Sequence, residues 1–289
     1  MFEAKDMQVY YKDFCALNMQ GGVRVKKGDR VGIIGANGSG KTTFIKACLG
    51  IIPYSGNIIS EIKPYEMAVH MQENDYVETM NVAAIMKMLL GKDPYKDAKV
   101  REMIDFFSFK ESLNKKFKQL SGGQKQRFTV IMVLLQEAPL TFFDEVTTGL
   151  DFETRQDLMR KIVEWYENKE TALFFVTHYY EELEQMANKI MILDKGRLID
   201  FDDKDKLFEK YCGFSIITLQ KTVENEKLLR SYQLLHAPEQ TLAVKCSDAE
   251  EEYEVMGKLN AQNVNFKRSN DDVEIMSLNA IARRKELRI

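Results

Sequence analysis

Cysteine is scarce in this 289-residue chain: Cys15, Cys48, Cys212 and Cys246 stand far apart and form no C-x-x-C pair. That scatter argues against a disulfide framework or a zinc site and fits buried thiols in a reducing compartment. Excess positive charge is also missing, with 41 Lys and Arg against 44 Asp and Glu and a formal net charge of −3. No global field therefore recruits nucleic acid or anionic lipid, and no nucleic-acid partner is expected. Long apolar runs are absent too, since stretches such as Val130-Ile-Met-Val-Leu-Leu135 fall far short of the roughly 20 residues a membrane span needs. The start, Met1-Phe-Glu-Ala-Lys-Asp6, shows neither an apolar leader nor an Arg-rich transit pattern, so no export signal is expected. No sustained heptad repeat appears, which excludes a long coiled-coil arm.

Against these absences stands Gly35-Ala-Asn-Gly-Ser-Gly-Lys-Thr42, which fits G-x-x-x-x-G-K-[ST] with Gly35, Gly40, Lys41 and Thr42 in the required places. The run before it, Asp29-Arg-Val-Gly-Ile-Ile34, reads as a short apolar strand, and Thr43-Phe-Ile-Lys-Ala-Cys-Leu49 after it has helical character. A strand, loop and helix in that order are the context a phosphate-binding loop requires. Its glycines let successive N–H groups turn inward around an anion past Asn37, Gly38 and Ser39, and the helix opening near Thr43 adds the positive end of its dipole. Lys41 can reach the β and γ phosphates of a nucleotide, and the Thr42 hydroxyl suits a bound magnesium ion. A plain glycine-rich turn beside a lysine would lack those flanks.

Elsewhere the amino-terminal 30 residues alternate apolar and polar, as in Met7-Gln-Val-Tyr-Tyr11 and Val23-Arg-Val25, predicting antiparallel strands. Tyr10 or Tyr11 could stack on an adenine ring or simply face the core. Ile51-Ile-Pro-Tyr-Ser-Gly56 predicts a turn and Val69-His-Met-Gln-Glu73 a short strand, at whose end the Gln72 carboxamide could ligate magnesium or orient water. Residues 80–118 carry Met, Leu, Ile and Phe at helical spacing and predict a small helical insert.

Leu120-Ser-Gly-Gly-Gln124 then opens a helical run over Lys125–Glu137, ended by Pro139. Ser121 and Gln124 form a plain capping box. The adjacent Gly122 and Gly123 weaken a helix yet permit close backbone approach, so this terminus is also a candidate second anion site. Leu140-Thr-Phe-Phe-Asp-Glu145 is an apolar strand ending in two carboxylates. Asp144 is placed to hold magnesium through water, and Glu145 to polarise an attacking water. Thr147-Thr-Gly-Leu-Asp151 turns into a helix over 153–167 whose Leu158, Ile162, Trp165 and Tyr166 read as core. Ala172-Leu-Phe-Phe-Val-Thr177 is the next strand and delivers His178 at the edge where open α/β sheets bind ligands. His70 and His236 read as structural.

Ile190–Ile199 predicts a hairpin turning at Asp194–Gly196, and the charged Asp202-Asp-Lys-Asp-Lys206 marks a boundary. Beyond it, Phe214–Leu219 and Thr241–Lys245 read as strands, Ser247–Glu250 caps a helix bearing Tyr253, Met256 and Leu259, and alternation resumes at Val264, Phe266, Val273 and Ile275. The length of the chain fits one large domain and a smaller α+β one.

With these motifs in this order, the chain resembles the ATP-binding subunits of ABC transporters over residues 5–200, the family signature being Leu120-Ser-Gly-Gly-Gln124. The resemblance implies an α/β P-loop NTPase core over 1–205, with an antiparallel β subdomain and a helical subdomain at about 76–138, followed by an accessory α+β domain over 206–289. It implies ATP and Mg2+ as ligands, Tyr11 as the adenine-stacking aromatic with Tyr10 as alternative, and Gln72 as the sensor of magnesium and the membrane partner. It further implies Asp144 as the magnesium-associated acid, Glu145 as catalytic base, Asp151 as the acid of a loop crossing the dimer, and His178 as the histidine that contacts the γ-phosphate. Val146 and Thr148 stand where the family commonly has Pro and Ser; neither change removes a polar atom that the chemistry needs. The implied partners are a transmembrane permease and a second ATP-binding subunit, expected to be an identical copy, at the cytoplasmic face of the membrane.

The terminal region resembles those of bacterial drug, lantibiotic and ion efflux ATPases, with Ser277-Leu278 in place but without the acidic and aromatic residues usual after it. An exporter is the expectation. The alternatives are an importer's ATPase, or a non-transport ATPase acting on the ribosome or nucleic acid; that last class has tandem cassettes or long arms, which this chain lacks.

Overall fold

The computed structural model describes residues 1–72 and 76–286. In chain order, strands β1 (Phe2–Tyr11), β2 (Phe14–Asn18), β3 (Gly22–Val25) and β4 (Arg30–Ile34) precede helix α1 (Lys41–Cys48), then β5 (Ser55–Ser60) and β6 (Met67–His70). Helices α2 (Val82–Leu90), α3 (Ala98–Phe106) and α4 (Gly122–Leu134) follow, then β7 (Leu140–Asp144), α5 (Phe152–Tyr166) and β8 (Ala172–Val176). The remainder is α6 (Tyr180–Met186), β9 (Lys189–Asp194), β10 (Arg197–Asp203), α7 (Lys204–Cys212), β11 (Ser215–Gln220), α8 (Val223–Leu228), β12 (Leu234–Leu235), β13 (Thr241–Cys246), α9 (Ala249–Ala261), β14 (Phe266–Ser269) and α10 (Val273–Glu286). The chain divides into two discontinuous compact units, one comprising 1–4, 24–30 and 42–178, the other 5–23, 31–41 and 179–289.

In the first unit β6, β7 and β8 run parallel, with Met67 to His70 beside Leu140 to Phe143, and Leu140 to Asp144 beside Ala172 to Val176. Strands β7 and β8 are buried along their whole length, as expected of parallel strands covered on both faces. Their aromatic residues stack across the ladder, Phe142 on Phe174 at 4.9 Å and Phe143 on Phe175 at 5.4 Å between ring centroids. Phe2 and Phe44 meet the edge of Phe174. The helical insert has its own aromatic cluster, in which Tyr76, Phe109 and Phe117 gather on Phe128 of α4. Helix α4 is buried continuously from Phe128 to Leu134, so it is a core helix rather than an amphipathic surface one.

In the second unit β1 and β2 form an antiparallel hairpin with a bulge at Val9 and Tyr10. Strand β4 runs parallel to β9, and β9 turns back into β10. The turn is Lys195-Gly196, both at positive φ (49° and 78°), which matches the twist of a two-residue hairpin. Four antiparallel strands in the order β12-β13-β11-β14 complete this unit, and Val255 and Leu259 of α9 share a core with Ile217, Leu219, Leu242 and Val244.

Three boundaries differ from the sequence reading. The helix opened by the Ser121 capping box starts at Gly122 and ends at Leu134, three residues short of the expected Glu137. The strand expected through Glu73 ends at His70, which leaves Gln72 beyond it, and Glu73 lies outside the described residues. Val273 and Ile275 lie in a helix rather than resuming a strand. Asp272 Oδ1 caps it by accepting from the Ile275 N–H at 2.9 Å, and Val273, Met276 and Ala280 are buried at helical spacing. Two apolar residues two apart cannot separate the periods.

Phe174→Ala removes the ring on which Phe2, Phe44 and Phe142 converge, and is expected to cost about 3–5 kcal/mol. Urea unfolding of the full chain measures this, and a loss below about 1 kcal/mol would show that the site relaxes around the gap.

Candidate functional site

The glycine-rich loop follows β4 directly and delivers Lys41 as the first residue of α1. A Cβ at Gly35 would lie 2.3 Å from both the Leu193 carbonyl oxygen and Ser39 Oγ, so only glycine fits where the loop closes on β9. The Gly196 N–H donates to the Ser39 carbonyl at 3.0 Å, bracing the loop from the hairpin. Lys41 Nζ folds back onto the loop, donating to the Gly35 and Ala36 carbonyls at 2.7 and 3.2 Å. Ser39 Oγ is buried without a hydrogen-bond partner. A buried hydroxyl left open inside a glycine cradle, beside a cation that can exchange carbonyls for phosphate oxygens, fits a polyphosphate.

Thr42, next in the chain, donates its hydroxyl to Asp144 Oδ2 at 2.8 Å. Asp144 ends β7 and is 1% exposed. A hydroxyl and a buried carboxylate oxygen so placed are hard oxygen ligands of the kind magnesium takes.

Glu145 collects the other polar residues. Its backbone is left-handed, φ +53°, a conformation costing a non-glycine residue roughly 1–2 kcal/mol. Two hydrogen bonds hold it there, Glu145 N–H to Val176 O at 2.8 Å and Thr148 N–H to Glu145 O at 3.1 Å. Its carboxylate meets His178 Nε2 at 2.8 Å and accepts from Gln72 Nε2 at 3.0 Å and Thr148 Oγ1 at 3.3 Å. Gln72, Glu145 and His178 thus come from the carboxyl ends of three neighbouring parallel strands. The Thr148 contact went unread in the sequence, although a hydroxyl three residues after the acid was its signal.

The remaining predicted residues sit on two helix starts and one strand. Ser121 Oγ accepts from the Gln124 N–H at 3.3 Å and the Gln124 side chain accepts from the Ser121 N–H at 3.1 Å, so the capping box is made. A Cβ at Gly123 would lie 3.2 Å from Thr154, whereas Gly122 faces open space. Close packing against Thr154 therefore favours glycine at 123, whereas nothing within 4 Å demands it at 122. Asp151 caps α5 by accepting from Thr154 N–H and Oγ1 at 3.0 and 2.8 Å, bonds that hold its carboxyl below the usual range, the backbone one most strongly. Tyr10 and Tyr11 are both exposed, at 53% and 45%, so either ring face is available and neither is core.

The ABC transporter family model matches residues 20–148, from ahead of the phosphate loop to just past Glu145. The chain carries an ABC transporter ATP-binding domain and is similar to the ATP-binding subunits of ABC transporters. As such it is an ATPase. It is 28% identical to the linearmycin resistance ATP-binding protein LnrL of Bacillus subtilis (strain 168), over 71% of this chain and 70% of that one. It is 27% identical to the methionine import ATP-binding protein MetN of Clostridium tetani (strain Massachusetts / E88), over 79% of this chain and 76% of that one. In fold it resembles an ATP-binding cassette solved as a dimer in a post-hydrolysis state with ADP and Pi, at a TM-score of 0.61 and 22% identity, covering 70% of this chain and 98% of that one. Among the described residues no helix is long and apolar enough to cross a membrane.

His70, expected to be structural, is fully buried and its Nε2 pairs with Gln126 Oε1 of α4 at 2.9 Å. Burial holds its pKa down at about 4, the Gln126 bond acting weakly the other way. The unfolded imidazole takes its proton near pH 6.5, so stability present above that pH is lost as pH falls toward 4, by up to about 3 kcal/mol. His70→Asn should flatten the dependence of the urea midpoint on pH between 6.5 and 4.5; an unchanged slope would show that other groups set it.

Proposed function

We propose that this chain is the motor of an exporter, in which two copies close around ATP and hydrolysis reopens them. The observation that carries the catalytic part is the single Glu145 carboxylate met by His178, Gln72 and Thr148. Glu145 takes the proton of the attacking water as the new oxygen–phosphorus bond forms and the bond to ADP breaks. His178 contacts the γ-phosphate, and Gln72 reports its state to a membrane partner. Lys41 gives up the Gly35 and Ala36 carbonyls for the β and γ phosphates. Tyr11 stacks on adenine, with Tyr10 beside it. Thr42, Asp144 and Gln72 hold Mg2+, which when bound offsets charge between the phosphates.

One phosphate loop leaves the γ-phosphate open on one side. The exposed Gly122 edge, Ser121 and Gly123 of a second copy supply donors there, and Asp151 lies on the crossing loop. An identical second copy then gives two competent sites. The nucleotide-binding part takes in 1–205, with a helical subdomain at about 76–138, and the accessory part 206–289. The assembly sits at the cytoplasmic face through a permease. Relatives of both directions match, a resistance protein and an importer. Export is favoured by the terminal α+β region, which resembles that of efflux ATPases.

Glu145→Gln should lower ATP turnover at least 100-fold while leaving ATP affinity within a few-fold, measured by phosphate release and equilibrium binding; rapid hydrolysis would remove Glu145 from the role. Pull-down of the same tagged variant from solubilised native membranes with ATP and Mg2+ tests the assembly. A stoichiometric multi-span protein without an extracytoplasmic binding protein supports the exporter. Recovery of such a binding protein would make it an importer, and recovery of ribosomes alone would overturn the transport reading.

A further inference from the structure

Around β10 and α7, cations and acids are matched. Lys189 pairs with Asp203, Lys206 with Asp202 and Asp203, and Lys210 with Asp200. A groove between the β9–β10 hairpin and the end of α10 breaks this pattern. It encloses about 360 Å3 and is lined by Lys195, Arg197, Arg284, Lys285, a single carboxylate, Asp194, and the half-buried Ile199 and Ile281. Four cations thus face one acid in a chain whose net charge is −3. Among the described residues Lys195, Arg197 and Lys285 make no ion pair, while Arg284 is anchored by donating to the Leu198 carbonyl.

Cations at the end of α10 suit its dipole without any ligand. That explanation does not extend to Lys195 and Arg197, which lie on the hairpin and line the same groove. Two guanidiniums and two ammoniums around an apolar floor fit a multiply charged oxyanion attached to a small apolar body. We propose that this groove is a second anion site, taking a small phosphate-bearing ligand, either a free phosphorylated compound or a lipid headgroup. Its position gives it consequence: Gly196, next to Lys195, is the residue whose N–H holds the Ser39 carbonyl of the phosphate loop.

The test uses the full chain carrying Lys41→Ala, which silences the phosphate loop, with inorganic pyrophosphate titrated by calorimetry and vesicles of phosphatidic acid or phosphatidylcholine in flotation. Adding Arg197→Gln and Lys285→Gln, both at exposed positions, should weaken binding at least roughly tenfold. Lys92→Gln with Lys96→Gln, in the helical insert, should leave it unchanged. Pyrophosphate binding that the groove variant loses supports a free ligand; flotation with phosphatidic acid alone, lost in the same variant, supports a headgroup. Absence of both, or equal weakening by the control pair, overturns the proposal.

Discussion

The register of three parallel strands decides where the polar residues of this molecule meet. Strands β6, β7 and β8 are paired so that Met67, Leu140 and Ala172 lie side by side, and each chain leaves the sheet at the same edge. A slip of one residue in either ladder would carry Gln72 or His178 away from Glu145, and between β7 and β8 it would also misalign the phenylalanine pairs. The stacked pairs Phe142–Phe174 and Phe143–Phe175 oppose that slip, because their rings face each other only in this register. Apolar packing thus sets the precision of the polar site.

A second constraint acts on the phosphate loop. Gly35 lies against the Leu193 carbonyl so closely that a methyl group could not be inserted, and the Gly196 amide holds the far side of the turn. The loop keeps an open conformation, with Ser39 Oγ unpartnered and Lys41 held on its own carbonyls, because its surroundings over-determine it. Preorganisation of this kind makes anion binding an exchange of partners for Lys41 rather than a folding step.

Much of this was legible in the sequence where local chemistry and position coincide. The phosphate loop, the two carboxylates after an apolar strand and the hairpin at Asp194–Gly196 announce themselves, since each depends on a few adjacent residues. What was not legible depends on contacts distant in sequence. The bond between His70 and Gln126 needs the pairing of β6 with α4 to be known. Gly122 and Gly123 look equivalent in the chain, and only the approach of Thr154 separates a packing glycine from an open one. The helical state of Val273–Glu286 rests on an Asp272 cap and a buried Asn279 that bonds the His236 backbone, none of which follows from an apolar alternation of two residues. The basic groove joins a hairpin to a helix some 85 residues later, beyond the reach of any local pattern.

The central claim, that ATP holds two copies of this chain together, is tested most directly by the mass of Glu145→Gln protein in solution, measured by light scattering with and without ATP and Mg2+. The account predicts a monomer without nucleotide, a doubled mass with it, and no doubling when Ser121→Arg is added at the exposed helix start. A mass that stays monomeric at saturating ATP, or a dimer indifferent to both nucleotide and Ser121→Arg, would contradict it.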